Sequence, residues 1–299
     1  MKYVVTGGAG FIGSNLVDKL LKEGHQVIII DNLSSGKKEN CSDKALFYQF
    51  DISKSKNLIK IIEILDGVDT VFHCAANARV QTSILDPVNY EKNNTIGLIN
   101  ILKASVDAGV RRLVYSASSS AYGPTDLLPS KEEHPVNPIS PYANQKYYGE
   151  ISCKMFSQVY DIETVSLRYF NVFGEKQNLG GAYATVVGIF LDQKNKNKPL
   201  TINGDGKQKR DFTYVGDVVN ANILASHSVK VGKGEVINIG SGFNISINDV
   251  AKMISKDFVY CKALYEPFAN LACIEKAKKL LDWEPKTSLE HWIMENKNE

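Results

Sequence analysis

Three glycines, Gly7, Gly10 and Gly13, stand in the stretch "VTGGAGFIG" between two runs of different periodicity. Before them, "KYVVTG" reads as a short apolar strand. After them, "SNLVDKLLKEG" carries Leu16, Leu20 and Leu21 at helical spacing. Glycines joining a strand to a helix allow a tight turn, close approach of backbone to a ligand, and close packing of helix on strand. The helix N-terminus adds unpaired N–H groups and a positive dipole end, which suits a pyrophosphate. Asp31 ends the next predicted strand, "HQVIIIDN". A carboxylate there accepts hydrogen bonds from an adenosine ribose and repels a 2′-phosphate, which favours NAD over NADP.

The alternation continues. "ALFYQFDIS", "DTVFHCAA" and "RRLVYSAS" are predicted strands, and "NLIKIIEIL" and "NTIGLINILKASVDAG" predicted helices. Apolar strands alternating with amphipathic helices predict an α/β fold, a Rossmann-type doubly wound parallel sheet covered on both faces. Beyond Arg168 the rhythm loosens. "TVSLRYFNVFG" ends like a strand, "PLTINGDGKQKRDFTYV" is rich in turn residues, "GDVVNANILASH" is helical, and "EVINIGSG" is a strand able to rejoin the sheet. Two short helices, "INDVAKMIS" and "IEKAKKLLDW", are predicted near the end. The expected organisation is an NAD-binding domain over 1–171, with 212–242 returning to it. A smaller, discontinuous substrate domain would take 172–211 and 243–299.

The 299 residues carry 35 basic and 33 acidic side chains, a formal net charge of +2. With no basic stripe, no nucleic-acid partner is expected. The densest basic run, Lys194 to Lys198, is expected as a solvated loop. The five cysteines (Cys41, Cys74, Cys153, Cys261, Cys273) lack disulfide or metal spacing, and the histidines show no helical pairing. No metal site is therefore expected, and a reducing cytoplasm is. No signal peptide is evident and no apolar run approaches the roughly 18 residues of a membrane helix, so no membrane partner is expected.

The glycine spacing is Gly-x-x-Gly-x-x-Gly, and "TGGAGFIGSNLVDKLLKEGHQVIIIDNLSSG" resembles the extended short-chain dehydrogenase/reductase family, in particular its nucleotide-sugar epimerases and dehydratases. The resemblance implies that Phe11 and Ile12 offer backbone amides to the pyrophosphate. It sets Asn32, Ser35 and Gly36 at the adenosine, Asp51 and Ile52 beside the adenine, and Ala75, Ala76 and Asn77 of "HCAAN" on the nicotinamide side.

In "SPYANQKYYGE", Tyr142 and Lys146 are four apart and share a helix face. A phenol with a pKa near 10 is a poor base at neutral pH. Nearby positive charges favour the phenolate, and a fall of three units needs roughly 4 kcal/mol. The pair matches the family's catalytic Tyr and Lys. Counting back from Tyr122-Gly123, the family's catalytic hydroxyl falls on Ser118, which would bond the sugar oxygen and share its proton with Tyr142. At the next two positions the dehydratases of this family carry Asp and Glu. Here Ser119 and Ser120 stand instead, with no carboxyl acid or base for elimination. Ser118 and Ser119 are expected against the sugar.

By the same resemblance Asn171 and Arg210 hold the diphosphate or sugar, and Tyr183, Thr201 and Asn203 border the uridine. Asn270 stands where a bulky aromatic would exclude N-acetylated sugars. Relatives carry a second phosphate-binding Arg near the C-terminus, but no arginine follows Arg210 in this chain. The implied activity is NAD-dependent UDP-hexose 4-epimerisation. The alternatives are a UDP-N-acetylglucosamine 4-epimerase, a nucleotide-sugar 4-ketoreductase and, in another class, a non-catalytic NAD-sensing scaffold. A homodimer is expected through helices near Asn94–Ala108 and Pro141–Tyr160.

Overall fold

The computed structural model describes residues 1–179 and 184–297. In the first part of the chain, strands β1 (Lys2–Thr6), β2 (Gln26–Asp31), β3 (Leu46–Gln49), β4 (Thr70–His73), β5 (Arg112–Ser118) and β6 (Glu163–Tyr169) alternate with helices. Those are α1 (Phe11–Lys22), α2 (Leu58–Leu65), α3 (Val80–Leu85), α4 (Pro87–Glu91), α5 (Gly97–Asp107) and α6 (Pro141–Val159). A π-helical segment, Lys92–Ile96, joins α4 to α5. The second part contains β7 (Val172–Phe173), α7 (Val186–Asn195), β8 (Leu200–Asn203), β9 (Lys209–Asp211), β10 (Thr213–Tyr214) and α8 (Val215–His227). It ends with β11 (Lys233–Ile239), β12 (Asn244–Ser246), α9 (Ile247–Ile254), β13 (Phe258–Cys261), α10 (Glu275–Leu281) and α11 (Leu289–Asn296).

Among the described residues a seven-stranded parallel sheet runs in the order β11-β6-β5-β4-β1-β2-β3. Successive side chains of a strand face opposite ways, so a strand covered on both faces must be apolar throughout. In β1, Tyr3 and Val5 join Leu16 and Leu20 of α1 and Val218 and Ala221 of α8. Val4 faces the other way, with Ile61 of α2, Leu98 and Ile101 of α5 and Phe156 of α6. This is the expected α/β architecture. The order reverses between β1 and β4, which opens a crevice beyond the carboxyl ends of those strands.

A third core gathers Phe173, Val187, Phe190, Leu200, Ile202, Phe212, Ile247, Val250 and Trp292. Among the described residues three two-stranded sheets, β10-β7, β12-β9 and β13-β8, accompany it. Two details differ from expectation. Residues 275–283, read with the substrate domain, pack on the large sheet: Ala277, Leu281 and Trp283 belong to its core, and Trp283 Nε1 donates to the Asp217 carbonyl at 2.9 Å. The Lys194–Lys198 run is not all loop. It ends α7, where basic charge suits the negative end of the helix dipole, and Asn197 then turns with φ 51°. Among the described residues no helix is long and apolar enough to cross a membrane, and no His/Cys/Asp/Glu group could hold a metal ion.

Candidate active site

The carboxyl ends of β1, β2 and β4 surround a groove lined by Gly7, Gly10, Asp31, Asn32, Ser35, Gly36, Ile52, Ala75, Ala76 and Asn77. The sequence singled out all ten. Ile30, Ser34, Phe50, Cys74 and Asn93 complete the wall. Phe11, Ile12 and Gly13 form the first turn of α1 beside it, and no side chain caps that helix start. Its first N–H groups therefore lack an intrahelical partner.

The glycines are required by packing. Gly7 has φ +70°, and a Cβ there would lie 2.6 Å from the Ala75 backbone N; one on Gly13 would lie 2.3 Å from the Gly7 carbonyl oxygen. Asp31 does more than close a strand. Its Oδ2 accepts from Ala9 N at 3.0 Å and its Oδ1 from Leu33 N at 2.8 Å, so it ties the glycine loop to the next turn. Each carboxylate oxygen has a further lone pair for a ribose hydroxyl. Asp51 is not among the lining residues. Its carboxylate accepts from the Ser53 backbone and hydroxyl at 2.9 and 2.6 Å, and Phe50 and Ile52 form the wall instead. A backbone floor, an uncapped helix start and a carboxylate at the rim fit NAD.

The opposite end of the crevice gathers Ser118, Tyr142 and Lys146. Ser140 caps α6, accepting from Ala143 N at 3.1 Å, and Pro141 follows where its missing N–H costs nothing. The Tyr142 N–H donates to Ser83 Oγ of α3 at 3.2 Å, which fixes the first turn of α6. Ser118 ends β5 with its side chain near enough to the Tyr142 phenol to pull the phenol's pKa down. Ser119 sits half-buried between Ser118 and Ser120.

Burial pushes the Tyr142 phenol above its ordinary value, while Ser118 and the Arg79 charge pull it down. Lys146, expected to supply that charge, is buried one turn along and donates from Nζ to the Ser116 carbonyl at 2.7 Å. Burial lowers its pKa to about 8. His73, also buried, is held near 3 by desolvation and by Lys146, so it stays neutral beside Thr6 Oγ1 at 2.9 Å. Beneath them Glu150 and Arg168 form a bidentate pair at 2.7 and 2.6 Å, and the guanidinium stacks over Tyr122 at 4.6 Å.

On the smaller unit, Asn171 and Asn270 meet directly. Asn171 Nδ2 donates to the Asp211 carbonyl at 2.7 Å and to Asn270 Oδ1 at 3.1 Å; that oxygen also accepts from Asp211 N at 2.8 Å. Arg210 does not pair with Asp211, whose carboxylate takes the N–H groups of Ser241, Gly242 and Ala272. Its partner is Glu266 at 2.9 Å, with the Phe268 carbonyl at 3.2 Å. Thr201 is drawn away to Gln193 of α7, at 2.7 and 3.0 Å, and Asn203 is exposed at the end of β8. Tyr183 lies outside the described residues.

Arg79 and Glu266 went unread in the sequence because each acts through a distant contact, and Ser120 was read only for the carboxylate it lacks, not for its bonds to Ser118. Also unread was a buried chain in which Asn94 bonds both backbone groups of Asn77 and donates to Gln145, which reaches Glu91. Asn94 lies in the π-helical segment. Such a segment inside a helical run is a recurrent mark of a functional site.

The sequence profile of the NAD dependent epimerase/dehydratase family matches residues 3–240. A UDP-glucose 4-epimerase of Lactobacillus helveticus is 35% identical over 306 residues, covering 96% of this chain and 92% of that protein. The crystal structure of a UDP-glucose 4-epimerase from Thermotoga maritima with UDP-glucose has a TM-score of 0.95 and 38% identity, covering 100% of this chain and 98% of that one. The UDP-N-acetylglucosamine 4-epimerase of Methanobrevibacter ruminantium, in complex with UDP-N-acetylmuramic acid, has a TM-score of 0.92 and 34% identity, covering 99% and 97%.

Proposed function

The chain belongs to the NAD dependent epimerase/dehydratase family, in its extended short-chain dehydrogenase/reductase branch, and on that premise we propose that it is an NAD-dependent UDP-hexose 4-epimerase interconverting UDP-glucose and UDP-galactose. The observation that carries this reading is the meeting of the two elements at the carboxyl end of β5: Ser118 is placed where its side chain lowers the pKa of the Tyr142 phenol, Lys146 sits one turn along α6 tied to the Ser116 carbonyl, and serines stand in place of elimination carboxylates.

The groove residues from Gly7 to Asn77 would hold NAD, with Asp31 at the adenosine ribose and the start of α1 at the pyrophosphate. When bound, NAD takes hydride from C4 of the sugar and returns it. Tyr142 accepts the proton of the C4 hydroxyl and later gives it back. Ser118 donates to the Tyr142 oxygen and favours the phenolate. Lys146 keeps a positive charge beneath the site and anchors α6 to β5. Inverting C4 requires the hexose to present either face, so firm contacts must fall on the diphosphate and base. Asn171, Asn270 and Arg210 supply donors there once the Arg210–Glu266 pair opens.

A second reading, a UDP-N-acetylglucosamine 4-epimerase, is favoured by the small Asn270 and by the likeness to the M. ruminantium enzyme. The partner, in either case, is a second copy of this chain. Leu85, Val88 and Ile96 are exposed apolar residues on segments that pack against α6, whose own exposed apolar residues Tyr148, Ile151, Met155 and Val159 recur along the helix.

The deciding experiment offers the purified protein UDP-glucose, UDP-galactose and their N-acetylamino counterparts separately, with NAD and no reductant. Interconversion of the plain hexose pair is expected. Conversion of only the N-acetylated pair selects the second reading. An accumulating keto sugar, or bound NAD without interconversion of any UDP-sugar, overturns both.

A further inference from the structure

A hydroxyl group has one proton to donate and two lone pairs to accept with. At Ser118 both lone pairs are engaged by one neighbour: Ser120 Oγ donates to Ser118 Oγ at 2.9 Å and Ser120 N at 3.2 Å. The second bond caps the 3₁₀ turn Ser119–Tyr122, which holds Ser120 in place. The Ser118 hydroxyl has only its own proton left, and the Tyr142 phenol, whose pKa Ser118 pulls down, is the group beside it that this proton can serve.

We propose that Ser120 is a positioning residue for the proton transfer, fixing Ser118 as a one-way donor to Tyr142. This rests on the reading of Tyr142 as the base. The proton of the substrate's C4 hydroxyl then passes directly to the Tyr142 oxygen, and Ser118 keeps its own proton throughout. That differs from a shared-proton relay. It also gives the third serine a use that neither Ala nor a carboxylate could supply. Ala keeps the backbone N–H but has no side-chain donor, and a carboxylate side chain accepts only, so it would draw the Ser118 proton away from Tyr142. Arg79, ahead of α3, also acts on the phenol. Lys146, on the same helix, is tied to the Ser116 carbonyl, and His73 is neutral.

The test compares Ser120→Ala and Ser120→Thr with the wild-type holoenzyme. Losing one neutral hydrogen bond from the phenolate's support should raise the acid limb of the kcat–pH profile by about half to one unit and slow turnover below it by about three- to tenfold. KM for the UDP-sugar should change by less than about twofold, since the Ser120 hydroxyl is engaged with Ser118 and is not among the groups read as holding the diphosphate and base. Ser120→Thr keeps the hydroxyl and should restore the profile. A second readout needs no turnover: ultraviolet titration of tyrosinate in the ligand-free protein, with Tyr142→Phe as the reference. In Ser120→Ala the Tyr142 component should titrate higher by a similar amount. An unchanged titration, or an Ala defect that Thr fails to rescue, overturns the proposal. Failure of the epimerase reading would leave this titration standing, so the two failures are distinguishable.

Discussion

Lys146→Met should flatten a rise in stability that the wild-type chain shows between neutral and alkaline solution. Lys146 is 4% exposed, and burial lowers its pKa from an ordinary 10.5 to about 8. Between those two values the unfolded chain holds the proton more tightly than the folded one, so stability increases with pH at up to about 1.4 kcal/mol per unit. The contribution is complete above the unfolded value and lost as pH falls through about 8. The full difference amounts to roughly 3 kcal/mol, of which about 2 kcal/mol falls between about pH 7.5 and about pH 9.5. Methionine has similar length and no proton to lose. It removes this linkage and leaves the Ser116 carbonyl without its donor, a cost of about 1–3 kcal/mol that does not depend on pH. Urea denaturation of both ligand-free proteins at the two pH values measures the difference, because other titrating groups cancel between them. Parallel pH dependence in the two proteins would refute the buried charge.

Gly7→Ala combines a positive φ, costing about 1–2 kcal/mol for an L side chain, with a Cβ 2.6 Å from backbone that cannot yield. NAD affinity by calorimetry should fall more than about tenfold; wild-type affinity would contradict the close approach of loop to strand end. Ile151→Lys places a charge in the apolar stripe on α6, where the residue is 50% exposed. Light scattering should show a dimer becoming a monomer whose stability moves by about 0.5 kcal/mol or less. A monomeric wild type at micromolar concentration would remove the second copy as the partner.

What the sequence made legible was local. Gly7, Gly10 and Gly13 announce a strand-to-helix turn by spacing, Tyr142 and Lys146 share a face by periodicity, and Val4 and Val5 are both apolar because both faces of the sheet are covered. Contacts set by the tertiary path carry no such period. Glu266 reaches Arg210 only because the segment before Asn270 runs beside β9, with Lys209 N bonded to the Phe268 carbonyl at 2.8 Å. Nothing in "IEKAKKLLDW" distinguishes a helix that packs on the large sheet from one that packs on the smaller unit. Asp51, set beside the adenine by the resemblance, accepts at its Oδ1 from the backbone and hydroxyl of Ser53, a local bond that the resemblance does not show.

Thr6, Asp31, His73 and Ser118 all end strands of one sheet, and Asp31 and Ser118 are three strands apart, on β2 and β5. Backbone hydrogen bonding holds neighbouring strands about 4.8 Å apart, so those three steps span about 14 Å. The sheet is thus a ruler whose divisions are peptide groups. Lengthening a connecting loop leaves the measurement intact, whereas a one-residue slip of β5 would turn Ser118 to the other face. Variation in connections away from the glycine loop leaves the distance between those two strand ends unchanged.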